Sequence, residues 1–125
     1  MSEDDLYRVF QCCKRFSKKS EYRIQMACFI LNKGKCIGRG VNSLKSHPKW
    51  NYGLNVSIHA EISAIINTRK DRIYGTIAFI YRETKKGNPA LARPCEKCLL
   101  ALKSFGVKQI IYSINQEPYF KIERI

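Results

Sequence analysis

The sequence predicts an α/β domain of three layers, with a five-stranded mixed sheet flanked by helices. Three observations carry that expectation. Amphipathic helical stretches alternate with near-continuous apolar runs of strand length. Such runs belong to strands buried on both faces, which requires helices above and below one sheet. The 125 residues suffice for one core of this kind but not for two, so 1–125 reads as a single domain.

The elements follow in order. Ser2 is placed as an N-cap, with Glu3, Asp4 and Asp5 in the first turn. Leu6, Val9, Phe10, Cys13 and Phe16 then recur at helical spacing. Lys14, Arg15, Lys18 and Lys19 load the C-terminal end, where they complement the helix dipole. Residues 22–31 form a central strand, 32–35 a hairpin turn and 36–41 the returning strand. Gly38 and Gly40 weaken that strand or let another group approach closely. Residues 42–57 have no period and read as a loop.

A helix covers 58–68 on the strength of Ile58, Ile62, Ile65 and Ile66. A buried strand covers 73–81, a polar loop 82–93, and a helix 95–105 that Gly106 ends. Strands at 107–114 and 119–125 complete the chain. The strand–helix–strand unit from 73 to 114 should be a right-handed parallel crossover. The connection at 115–118 is too short for a crossover, so the last two strands should run antiparallel if they pair.

No apolar run approaches the ~20 residues that a membrane span needs. The acidic N-terminus lacks the pattern of a signal peptide. These features predict a cytoplasmic protein with no membrane partner and six reduced cysteines. With the hairpin turning at Lys33-Gly34, Cys36 faces Leu31 rather than Cys28, so the two thiols do not bridge. Both read as small buried hydrophobes. Cys12 and Cys13 point about 100° apart on a helix and do not chelate one metal together. A net charge of +13 attracts phosphates; an ordinary solvated basic surface is the competing reading.

Two short motifs carry the chemistry: His59-Ala60-Glu61 and Pro94-Cys95-Glu96-Lys97-Cys98. One imidazole and two thiolates make three zinc ligands. Three protein ligands leave a position for water, as catalytic zinc sites do and structural ones do not. Cys95 and Cys98 share a helical face. Both motifs fall at helix starts, where the dipole and backbone amides stabilise thiolates. Glu61 does not share His59's helical face, so its carboxylate suits acid/base work beside the metal better than ligation. The rivals are a structural zinc closed by His47 and a redox role for the cysteine pair, which leaves His59 and Glu61 unused.

Together the motifs, H-x-E and P-C-x-x-C, resemble those of the cytidine deaminase superfamily. Element order extends the resemblance over nearly the whole chain, which implies a cytidine-deaminase-like fold. It implies that His59, Cys95 and Cys98 hold Zn2+. It implies that Glu61 is catalytic, moving protons from water to the ring nitrogen and the departing amine of a cytosine-type base. Substrate contacts are expected at Asn42, Ala60 and Pro94, although Asn42 is equally a turn asparagine. The segment Ala92-Arg93-Pro94-Cys95 resembles small viral and microbial members. The short last connection resembles the branch with an antiparallel final strand, which includes cytidine and blasticidin S deaminases.

Two loops feed the catalytic helices. The first carries Lys45, His47, Lys49, Trp50 and Tyr52; the second carries Arg82, Lys85, Lys86 and Arg93. Cations interleaved with aromatics suit phosphate contacts and base stacking. A solvated loop with Trp50 in the core is the alternative. The expected partner is a cytosine-containing nucleotide or single-stranded nucleic acid, with Trp50, Arg82 and Arg93 among the contacts. Adenine in RNA and a free nucleoside or its analogue are alternative substrates. A zinc-stabilised nucleic-acid-binding module without catalysis is the alternative of another class, and it gives Glu61 nothing to do. The resemblance also allows a homo-oligomer.

Overall fold

A computed structural model describes residues 3–19, 25–42, 59–84 and 86–125. Ser2, the start of the first strand, the loop with Trp50, Ile58 and Lys85 lie outside the described residues. The elements are α1 (Glu3–Ser17), β1 (Gln25–Asn32), β2 (Lys35–Val41), α2 (Ala60–Ile66), β3 (Ile77–Glu83), β4 (Pro89–Ala90), α3 (Glu96–Ser104), β5 (Gln109–Ser113) and β6 (Phe120–Arg124). The sheet runs β2-β1-β3-β5-β6, and the two-residue β4 pairs with β3. That short strand makes six where the sequence predicts five. Its two residues, one a proline, carry no strand periodicity.

β3 and β5 are parallel across α3, and β5 and β6 are antiparallel, as the connection lengths require. Between β1 and β2, Lys33 and Gly34 both take positive φ, 51° and 82°, which is what a type I′ hairpin turn demands. Leu31 pairs with Cys36, and Cys28 pairs with Gly40. The thiols stay apart as expected. Cys28 is buried, but Cys36 is exposed, contrary to its reading as a core residue. Its strand is the sheet's outer edge, beyond the main footprint of α1, which packs chiefly on β1 and β3.

The buried strands divide their side chains between two cores. Phe29, Leu31, Phe79, Tyr81 and Ile111 meet Leu6 and Cys13 of α1. Cys28, Ile30, Ala78, Ile80 and Ile110 meet Ile62 and Ile65 of α2 and Leu102 of α3. Period-two alternation sends successive residues to opposite faces, so an unbroken apolar run fills both. At the end of β3, buried Glu83 takes an ion pair from Lys18 and a hydrogen bond from Tyr81 at 3.1 Å, fastening the end of α1 to the sheet. The third strand begins at Ile77 rather than 73. Residues Lys70–Arg72 form a 3-10 turn, and Gly75 takes φ 78° to turn the chain into β3. Ile73 is apolar because it plugs the core, not because it pairs in the sheet.

Both strand glycines are there for close approach. A Cβ on Gly40 would lie 2.5 Å from the backbone nitrogen of Ala64, and one on Gly38 would lie 1.6 Å from the Thr68 hydroxyl. α2 therefore sits directly on β2. Gly40→Ala should lower stability by about 1–3 kcal/mol, because the obstacle is backbone and cannot rotate away. Urea unfolding monitored by circular dichroism reads this, and an unchanged midpoint would mean that α2 does not rest on the glycine.

Candidate metal centre

α2 and α3 start side by side on one face of the sheet, and each start carries a donor. His59 is the N-cap of α2 (φ −72°, ψ 154°) and Cys95 the N-cap of α3 (φ −65°, ψ 165°). Neither makes a side-chain cap hydrogen bond, which leaves both donors to partners outside their own helix ends. Cys98 follows one turn into α3 and is buried. The His59 Nδ1 atom lies 3.1 Å from Cys98 Sγ and 3.7 Å from Cys95 Sγ. All three donor atoms fall within 4.8 Å of one another, the one such cluster of three among the described residues.

This set fits zinc. Tetrahedral bonds of about 2.0–2.3 Å place donors about 3.6 Å apart, and the two observed separations straddle that value. Burial, with Glu61 and Cys95 close by, pushes the Cys98 thiol's pKa well above its ordinary value. A divalent ion favours the thiolate and opposes that trend.

Glu61, in the first turn of α2, is only 2% exposed. Its Oε1 atom is buried and has no hydrogen-bond partner among the described residues. Burial pushes the carboxyl's pKa up, while its own backbone amide, His59 and Cys98 pull it back. A buried carboxylate oxygen without a donor is costly, so its presence here signals a group with another task. Beneath it lies Cys28 of β1, close enough that the carboxylate raises the thiol's pKa beyond the larger effect of burial.

The other expected site residues are distributed as follows. Ala60 and Pro94 are buried beside the donors. Asn42 accepts a hydrogen bond from the Met26 amide at 3.0 Å, closing the end of the β1–β2 ladder. Arg82 continues the β3 alternation onto the α2/α3 face and donates to the Leu91 carbonyl at 3.4 Å. Arg93 is held by both carboxylate oxygens of Glu123, each at 3.3 Å, and Tyr112 donates to that carboxylate at 2.7 Å. Trp50, His47 and Lys85 lie outside the described residues.

Sequence reasoning missed the supports of the loop before Cys95. Ser113 Oγ donates to the Ala90 carbonyl and accepts from the Arg82 amide, and Glu123 of β6 grips Arg93. These partners are 23 to 31 residues apart in the chain, beyond any local pattern.

The family profile for the cytidine and deoxycytidylate deaminase zinc-binding region matches residues 3–114. The chain belongs to that deaminase family. The deaminase shares its fold with the dCMP deaminase of cyanophage S-TIM5 in apo form: 18% identity, TM-score 0.67, 94% of this chain and 88% of that one. The same phage enzyme in complex with dCMP and dUMP matches at 17% identity and TM-score 0.67, over 91% and 84%. Cytidine deaminase from Burkholderia pseudomallei matches at 12% identity and TM-score 0.70, over 99% and 93%. No curated protein sequence matches. The deaminase is a zinc protein of a family that acts on cytosine-type bases, and no described helix is long and apolar enough to cross a membrane.

The zinc-loaded deaminase should carry one ion per chain. His59→Ala or Cys98→Ser should lose most of it on desalting, read by elemental analysis. Full occupancy in either variant would place the ion elsewhere.

Proposed function

We propose that this deaminase hydrolyses the exocyclic amine of a cytosine base carried by a phosphate-bearing substrate, a nucleotide or single-stranded nucleic acid, with Glu61 as its catalytic proton carrier. The observation that carries the reading is the buried, unpartnered Glu61 oxygen beside three zinc donors. His59, Cys95 and Cys98 would hold the ion, which supplies a Lewis acid that lowers the pKa of water.

The chain's own residues do the rest. Glu61 accepts a proton as water attacks the ring carbon bearing the amine, and donates a proton to the ring nitrogen. The carbon–nitrogen bond then breaks, the amine leaves as ammonia with a proton passed on by Glu61, and the ring keeps the new carbonyl. Burial suits the carboxyl to this exchange, because it weakens the preference for the ionised form. Ala60 and Pro94, buried beside the donors, wall the base and exclude water.

Support for the phosphate comes from the +13 charge, from Arg82 on the site face, and from the phage relative whose complex holds dCMP and dUMP. A non-catalytic zinc module would leave the Glu61 oxygen without a function.

Glu61→Ala should keep its zinc and fold yet lose about 10³-fold or more in turnover, measured as ammonia released from cytidine monophosphate. Near-normal turnover in the zinc-loaded variant would end the proposed role. In the parent protein, kcat/KM for the monophosphate should exceed that for cytidine and fall as salt is raised. Arg82→Gln with Lys86→Gln should raise KM for the monophosphate and leave that for cytidine alone. Equal changes for both substrates would remove the phosphate from the reading.

A further inference from the structure

A groove of about 980 Å³ opens between the C-terminal half of α1 and the edge strand β2, reaching Asn67 at the end of α2. Arg15, Lys19 and Arg39 line it, with no carboxylate among the described lining residues. Arg39 lies 4.4 Å and Lys19 5.6 Å from the centre of the Phe16 ring. Arg15 donates to the Cys12 sulfur at 3.5 Å. The ion pairs among the described residues engage other cations: Arg8, Lys18, Arg69 and Arg93. Three cations thus converge on one concavity and rest on a thiol and an aromatic face rather than on acids. Their mutual repulsion is relieved by an anion of matching length.

We infer that this groove binds the phosphodiester backbone of single-stranded nucleic acid, independently of the base taken at the metal centre. Tracks for single strands combine a basic groove with aromatic surface, and this one has both. Its volume is at the upper end of sites that take one small ligand, which leaves room for successive nucleotides. The +13 charge steers such a polymer from a distance. Asn67, on the rim of the groove, caps the end of α2 opposite the zinc donors, about 12 Å of helical rise from His59 at 1.5 Å per residue; the three cations lie beyond it, toward α1. This binding is additional to the deamination proposed above and stands whether or not that reaction does.

The test uses fluorescence anisotropy with the zinc-loaded protein, labelled oligothymidylate and oligouridylate, neither of which carries a cytosine. Three phosphate contacts give a log–log salt slope of about −2, a loss of about twentyfold between about 50 and 200 mM salt. Arg15→Gln/Lys19→Gln/Arg39→Gln should bind about tenfold more weakly at low salt with a flattened slope, and should still deaminate cytidine monophosphate as the parent does. Lys103→Gln/Lys108→Gln/Lys121→Gln removes the same charge elsewhere and should bind as the parent does. Because Arg39 leans on Phe16, the double variant Arg15→Gln/Lys19→Gln leaves that stack in place and should show an intermediate loss. Groove-dependent binding of either polymer supports the inference. Equal losses in the two triple variants, no binding of either oligonucleotide, or groove-dependent capture only of phosphatidylserine vesicles would overturn it. Groove-dependent binding without ammonia release from any cytosine substrate would sink the proposed deamination alone.

Discussion

A side chain at position 40 would strike the backbone of Ala64, so α2 rests on β2 only because the strand offers a bare face there. The rest of the site depends on that seating. Glu61 and the His59 donor stand at the start of α2, and a helix displaced by the depth of a methyl group would carry both away from α3. Thr68 completes the contact by donating to the Ala64 carbonyl at 2.6 Å, just where Gly38 makes room for it. Two glycines that weaken a strand are thereby the condition for a helix to be placed finely enough to share a metal with its neighbour.

The second constraint is electrostatic. Two thiols and a carboxyl crowd together, with Cys95 exposed and Cys98 buried beside Glu61, and burial opposes ionisation of Cys98 and Glu61 alike. A divalent cation resolves the conflict for the thiols, and helix N-termini help, since their amides and dipoles favour negative charge. Glu61 keeps an oxygen that no described protein group satisfies. Sites that hold such a group give up stability for function. The surrounding core of Cys28, Ala60, Ile62 and Cys98 makes that cost tolerable by fixing everything else.

The loop that delivers Cys95 is held from the far side of the domain. Ser113 bridges β3 to β4, and Glu123 reaches from β6 to Arg93 with Tyr112 supporting it. Tyr112, Arg93 and nearby Lys121 all favour the ionised carboxylate, so its pKa falls below the ordinary glutamate value. Arg93 therefore has a structural partner in this conformation, and a substrate phosphate meeting it would compete with Glu123. The antiparallel last strand matters here: it pairs Glu123 with Ile110, on the same face of the sheet as Tyr112, from where its carboxylate reaches both Tyr112 and Arg93.

Much of this was legible in the residues alone. Helical and strand periods, the glycine turn at 33–34 and the short last connection determined element order, the parallel crossover strands and the antiparallel final pair, because each is a local or nearest-neighbour property. The donor set was legible too, since residue type and helical spacing decide which side chains can share a face. The tertiary structure decided what depends on distant partners. It exposed Cys36 by placing β2 at the sheet's outer edge, withdrew Ile73 from the sheet into the core, added β4, tied Arg93 to Glu123 and gathered Arg15, Lys19 and Arg39 around one groove. Periodicity reports how a residue relates to its own segment; burial, ion pairing and cavity lining are set by which segments meet, and that appears only when the chain is folded.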